Sequence, residues 1–488
     1  MPERLETLQP ATAAMGAEVK PYKIHVSSKY LELTRQKLEL TRLPHESADR
    51  EYSETWEPKS ILEPLIDYWL EQYSWRDQEA ALNASVSHYR TKFDLPEARV
   101  PLRLHFIHET SPHANAVPLL LIPPFPFTNF SLTHLVKLLV DVDDAAARQP
   151  FHVVIPSLPG IGFSDALPNS SRMISATAFL FDGIMKRIGY DHYIVSNAAP
   201  SANPLANLDW RIADYLAVHH SDSCRGAHFI SPPLQPPTWK DSPSEWLKWR
   251  LAAMSGASIF GYTPDDYAGQ LASSSRKDTS LTNFAFGYTK NTDPTALAYA
   301  LCDSPTGMLL FTVMLLHALG SKGYEPADVI TLTALAWLPG PEAALRFWAQ
   351  CAANTDRAPN PSGTRPRVSI TIVSNSTDES HNGEEPCPVR NAHVCSAWGR
   401  RWYNIVASRR MQQEDGLLPW QQSALVLEGV RQLSATVVAA DSKMQREPPG
   451  AALLQQVVVD GDQSAAAELS GTTVEATVDS SVSPSGRA

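Results

Sequence analysis

The sequence predicts an α/β fold: a mostly parallel sheet covered by helices, with a helical cap and an N-terminal wrapping segment. Three observations predict it. Short apolar runs alternate with helix-periodic stretches through the middle of the chain, the pattern of strands joined by crossover helices. From 236 to 360 the text turns helical and Trp-rich, with Trp246, Trp249, Trp337 and Trp348. Strand-like text then resumes, so the helical block reads as an insertion between two sheet segments.

The elements follow in order. Residues 1–19 show no sustained period and are expected to be disordered. Within 20–115, Leu62, Leu65, Ile66, Trp69, Leu70 and Tyr73 fall at helical spacing, an apolar stripe that must dock onto something. Residues 116–235 form the first part of the core, with strands expected at 119–122, 153–155, 193–196 and 227–230. The cap spans 236–360. The core resumes over 361–440, with strands at 368–373 and 403–407. Residues 441–488 are rich in small and acidic residues without aromatic anchors and read as a disordered tail.

Composition excludes several function classes. With 488 residues, 43% hydrophobic and 19% charged, the chain can bury a large core. A net charge of -11 and the lack of a basic stripe argue against nucleic acid as a partner. Five cysteines, Cys224, Cys302, Cys351, Cys387 and Cys395, form no CxxC pair, so neither a disulfide framework nor a metal site is expected. That usage fits a reducing, cytoplasmic compartment. No basic start precedes an apolar run, and the longest apolar stretch, 308–316, is too short to span a bilayer. No leader, membrane span or cofactor is expected. The oligomeric state is left open.

Several motifs in order carry a family resemblance. Trp56, Leu62, Tyr68-Trp69, Trp75-Arg76, Glu79 and Leu82-Asn83, followed by Leu104-His105-Phe106-Ile107-His108, resemble the N-terminal meander of microsomal-type epoxide hydrolases, a branch of the α/β-hydrolases. The run Ser157-Leu158-Pro159-Gly160-Ile161-Gly162-Phe163-Ser164-Asp165 resembles the same family. So do the cap stretches Leu297 through Cys302-Asp303-Ser304-Pro305-Thr306-Gly307 and Gly340-Pro341 through Arg346-Phe347-Trp348. The resemblance covers roughly residues 20 to 435, and it implies an α/β-hydrolase fold closed by a cap over an epoxide-binding site.

At the chemistry the resemblance fails position by position. The family's strand-to-helix elbow reads Gly-Gly-Asp-Trp-Gly and presents the attacking carboxylate. The matching run here is Asn197-Ala198-Ala199-Pro200-Ser201, which puts Ala199 where the nucleophile belongs. The family's oxyanion-side loop, His-Gly-Trp-Pro-Gly, is here Pro123-Pro124-Phe125-Pro126-Phe127, and the extra prolines remove N–H donors. Only Pro126 is retained. The family's Gly-Gly-His-Phe base motif matches a stretch with Gly416 or Leu417 and no histidine nearby. Ser376 takes the register of the triad acid, with Asp378 and Glu379 displaced from it.

Other residues are weighed in the same way. Asp209-Trp210 repeats an Asp-Trp pair, but Asp209 opens a helical pattern with Ile212, Ala213 and Leu216 and suits a first-turn site rather than a nucleophile. Ser196 and Ser201 lack a Gly-x-Ser-x-Gly context. His219 and His220, adjacent on a helix, do not converge on one ion. The resemblance places Tyr288 and Trp348 where the family's two cap tyrosines donate to the epoxide oxygen; both also suit aromatic packing. Thr128 and Asn129 follow the altered loop and are expected to orient a ligand.

The site expected from these readings has Tyr288 as its one catalytic donor, with Ala199, Phe125, Trp348, Asn197 and Asn129 contacting a lipophilic small-molecule substrate. One function is non-hydrolytic conversion of a secondary-metabolite intermediate, such as cyclisation, cycloaddition or rearrangement of a terpenoid or polyketide. Such reactions need no nucleophile, because near-attack geometry alone supplies about 7–11 kcal/mol in favourable intramolecular cases. The alternatives are a non-catalytic small-molecule binding protein and a divergent epoxide hydrolase.

Overall fold

A computed structural model describes residues 18–45, 59–199, 207–240, 242–256, 258–263, 266, 294–318, 324–353, 363–374, 394–412, 420 and 422–444. Among these, nine strands form one sheet: β1 (Lys20–Pro21), β2 (His88–Phe93), β3 (Leu102–Glu109), β4 (Val117–Ile122), β5 (Phe151–Pro156), β6 (Tyr193–Asn197), β7 (Cys224–Ile230), β8 (Arg367–Ser374) and β9 (Asn404–Gln412). Their order across the sheet is β1-β2-β3-β5-β4-β6-β7-β8-β9. From β5 to β9 the pairing is parallel. β1, β2 and β3 join it antiparallel.

The expected parallel strands lie inside the observed ones. The exception is the last, which starts at Asn404 rather than 403 and runs on to Gln412. β4, β5 and β6 are buried at every position, as strands covered on both faces are, and this gives them their continuous apolar text. The antiparallel strands read differently. β2 and β3 carry His88, Thr91, His105 and His108, all buried, so polar letters interrupt the pattern that would mark a strand. Their rings are packed rather than solvated: His88 stacks on His105, and His108 Nε2 lies 2.9 Å from the Tyr190 hydroxyl.

The N-terminal region therefore does two things. Three helices, Ser28–Glu39, Lys59–Glu71 and Trp75–Ser85, lie outside the sheet, while β1 to β3 extend it. The predicted stripe lands as expected, with Leu62, Leu65, Ile66 and Trp69 buried. Glu79 locks the segment in place, accepting from Val26 N at 2.7 Å, Trp75 Nε1 at 3.0 Å and Arg76 Nη1 at 2.6 Å. Burial pushes the Glu79 carboxyl up, but these bonds together hold it below its ordinary value.

The described cap helices are Pro243–Ser255, Thr295–Asp303, Pro305–Ala318, Pro326–Trp337 and Glu342–Ala353. The N-terminal helices brace them from behind. Lys37 pairs with Asp303 at 2.5 Å, Thr41 bonds Thr306 at 2.8 Å, and the Tyr73 hydroxyl bonds Thr331 at 3.0 Å. Behind the sheet, helix Ala424–Ala440 buries Leu425, Val426, Val430, Leu433 and Val437. Among the described residues no single helix is long and apolar enough to cross a membrane.

Candidate ligand-binding site

The elbow is the place where an α/β sheet of this topology presents its reacting group. β6 ends at Asn197, and Ala198 and Ala199 follow, both buried. Asn197 is fully committed to holding the turn: its Oδ1 accepts from Ile230 N at 3.0 Å, and its Nδ2 donates to Ala199 O at 2.6 Å. The Ala199 amide donates to Asp209 Oδ2 at 3.3 Å. Residues 200–206 lie outside the described residues.

Asp209 sits in the first turn of helix Asn207–His219, fully buried. Burial raises its pKa to about 8, against the opposing hydrogen bonds from the Trp210 amide, Asn197 and Ala199. The carboxyl is thus mostly protonated at neutral pH, a poor nucleophile. Beneath the elbow a second set of polar groups satisfies itself. Ser196 Oγ is 2.8 Å from His228 Nδ1, and His228 Nε2 is 2.9 Å from Thr371 Oγ1. Burial holds the His228 pKa down to about 3, so this imidazole is neutral and sealed in the core.

The cavity lies to one side of this network, between the 125–128 and 160–162 loops and the cap. It is an open cleft of about 650 Å³, solvent outside its mouth included, of which only about 40 Å³ is enclosed room for a water-sized group. Phe125, Pro126, Phe127 and Ile161 form its floor; Leu301, Met308, Phe311, Leu315, Leu332, Ala336 and Leu345 form its roof. Among the described residues no ionisable side chain lines it. The Phe125-Pro126 peptide bond is cis. Gly162, at φ +57, brings its loop so close that an added Cβ would stand 3.3 Å from Thr128 Cγ2; only glycine adopts that backbone cheaply.

The structure separates the sequence-predicted residues. Phe125 is in the cavity wall. Asn129 is buried behind it and donates to Ile155 O at 3.0 Å. Asn197 and Ala199 belong to the elbow network rather than to the cavity wall. Trp348 is buried on helix Glu342–Ala353, outside the wall that its neighbours Ala344 and Leu345 line. Tyr288 lies outside the described residues, as do Ser376, Asp378, Glu379, Gly416 and Leu417. His219 stacks on Tyr215, and His220 Nδ1 lies 3.2 Å from Asp182. The roof residues were missed by sequence reasoning; for Met308, Phe311 and Leu315 the one signal was the apolar run 308–316, which is too uniformly apolar to reveal which face meets a ligand.

Residues 19–132 match the family model described as epoxide hydrolase N terminus. A protein of Stigmatella aurantiaca (strain DW4/3-1), provisionally named an epoxide hydrolase, is 30% identical over 299 residues, 59% of this chain and 58% of its own length. The chain thus spans less than two thirds of that relative. A Dothistroma septosporum protein, also provisionally named an epoxide hydrolase, is 22% identical over 438 residues, 87% of this chain and 91% of its own. The solved structure of Aspergillus niger epoxide hydrolase shares the fold, with a TM-score of 0.60 at 17% identity over 86% of this chain and 97% of that one.

Proposed function

The chain carries an epoxide hydrolase N-terminal domain on an α/β-hydrolase fold, and from that premise we propose that it converts a lipophilic secondary-metabolite intermediate without hydrolysis. The observation that carries the reading is Ala199, a buried methyl group at the elbow where the resemblance calls for the attacking carboxylate. The cavity supports it, because a wall that is apolar and without ionisable side chains among the described residues suits a hydrocarbon-rich molecule held by shape. Cyclisation, cycloaddition or rearrangement of a terpenoid or polyketide needs such a mould and no nucleophile.

In this reading Phe125 and the cap helices shape the substrate, and Trp348 supports the roof from behind. Asn197 and Ala199 keep the elbow closed beneath it. Tyr288 donates a hydrogen bond to a carbonyl or hydroxyl as charge develops. The test has two arms. Purified protein incubated with styrene oxide should give no diol above background, and a polyene or terpenoid precursor should give an isomer of unchanged mass. Diol formation would overturn the reading in favour of a divergent epoxide hydrolase. Tight binding with no conversion of any precursor would make the chain a small-molecule binding protein.

A further inference from the structure

A second opening lies where the cap meets the core, on the other side of helix Glu342–Ala353 from the capped cleft. That helix turns Ala344 and Leu345 toward the capped cleft. Its residues Ala343, Arg346, Phe347 and Gln350, one face at helical spacing, line the second opening. The loop before helix Met173–Arg187 supplies the opposite wall with Leu167 and Asn169, and Met173 completes it. The two openings are kept apart where an added Cβ on Gly160 would stand 2.9 Å from Ala343 Cβ. The second is the roomier: about 220 Å³ of its roughly 550 Å³ would take water-sized groups, against about 40 Å³ in the capped cleft.

Its wall is divided in chemistry. Leu167, Met173 and Phe347 are buried apolar side chains along it. Arg346 is exposed and makes no hydrogen bond or ion pair among the described residues. Glu342, one turn earlier on the same helix, accepts from Cys302 Sγ at 3.2 Å instead of pairing with it. Across the opening Asn169 Oδ1 accepts from Gln350 Nε2 at 3.4 Å, which occupies the Asn169 carbonyl and leaves its amide N–H groups as donors. Among the described residues no carboxylate lines this wall, so its charge is positive although the chain carries -11.

A guanidinium presents a planar fork that matches a carboxylate, and one cation balances one negative charge. The apolar strip beside it covers a short hydrocarbon tail. We propose that this opening is a second ligand site, for an organic monocarboxylate whose anion pairs with Arg346 and takes a hydrogen bond from Asn169 Nδ2, while its hydrocarbon part lies along Leu167, Met173 and Phe347. Because the cap supplies Arg346 and Phe347 and the core supplies Asn169, Leu167 and Met173, a bound carboxylate fastens cap to core. This site does not depend on any conversion in the capped cleft.

Methionine methyl NMR on the full chain separates the two openings, since Met173 lines the second and Met308 the first. Hexanoate, hexanamide and hexylammonium share one tail and are titrated at low ionic strength, where exposed charges are least screened. Hexanoate should shift the Met173 methyl saturably, spare Met308, and bind about fivefold tighter than hexanamide, the worth of one solvent-exposed ion pair. Hexylammonium should bind no tighter than hexanamide. Arg346→Gln changes an exposed side chain, should fold as wild type, and should bring hexanoate down to the affinity of hexanamide. Asn169→Asp, which sets a carboxylate in the wall, should favour hexylammonium over hexanoate. Hexanoate acting on Met308 alone, no saturable shift of Met173, or a preference for hexanoate that survives either substitution would each overturn the site. Tighter binding of hexylammonium than of hexanoate to wild type would overturn the ligand class.

Discussion

The Ala199 amide donates to a carboxylate oxygen of Asp209, 3.3 Å away, and that carboxyl is wholly buried. Among the described residues, the acidic group beside the elbow therefore faces the backbone of the turn. Its second oxygen, Oδ1, has no partner among the described residues. The relationship governs what a repaired elbow could do.

Ala199→Asp would set a second carboxyl beside Asp209 in the same buried space. Two like charges so placed cannot both ionise, and burying one without a partner is costly. The variant should lose about 2–4 kcal/mol of stability in urea denaturation and form no diol from styrene oxide. Epoxide opening restored by this single change would show that the remaining hydrolytic parts are intact.

Stability should peak near pH 7. His228 and His108 are held down to about 3 and His152 to about 4, all by burial. Their folded pKa values lie below the unfolded value of about 6.5, so as the pH falls below that value the unfolded chain gains protons first and stability drops. Asp209 has the opposite sign: its folded value of about 8 exceeds the unfolded value of about 3.9, and stability falls as pH rises between them. Each group contributes at most about 1.4 kcal/mol per pH unit. Below neutral pH these three histidines, together with His88 and His105, which burial also lowers, outweigh one carboxyl; well above it the histidines are neutral in both states and no longer oppose Asp209. Asp209→Asn should flatten the limb from pH 7 to 8 in urea midpoints and steepen the rise from pH 4 to 6.5, because the Asp209 contribution spans both. Parallel profiles for the two proteins would refute the assignment.

Gly429→Ala should destabilise the protein although alanine favours the helix. The helical gain is about 0.5–1 kcal/mol, but an added Cβ would run into the His228 ring, which Ser196 and Thr371 hold from both sides. Overpacking of this kind costs about 1–3 kcal/mol, so a net loss is expected in thermal unfolding. The loss should shrink in a His228→Ala background, since the two residues share one space. Additive effects would place the strain elsewhere.

Glu79→Ala should loosen the N-terminal segment. It leaves Val26 N, Trp75 Nε1 and Arg76 without their shared acceptor, at a cost of about 3 kcal/mol. Limited proteolysis should then cut near residues 18–28 before the core, and Glu79→Gln should protect partly. Unchanged cleavage rates would mean that the segment is held by its apolar contacts alone.

The parallel half of the sheet was legible because strands covered on both faces must be apolar throughout; 119–122 and 153–155 could be nothing else. β2 and β3 were not, because their buried histidines and threonine are solvent-compatible letters whose partners, such as Tyr190 for His108, lie far away in the chain. Among the candidate site residues, Phe125 reached the cavity wall while Asn129, its near neighbour, turned inward to Ile155. No local pattern distinguishes those two directions.

By itself the sequence determined the layered α/β architecture, the inserted cap, and the alanine at the elbow, since each is written in periodicity or in one residue's identity. Tertiary structure alone decided which polar groups are satisfied. Asn197, Ser196 and His228 found partners across neighbouring strands and helices, and Thr128 Oγ1 has none among the described residues. Hydrogen bonding depends on separations of about 3 Å between groups far apart in the chain, and only the folded backbone sets those.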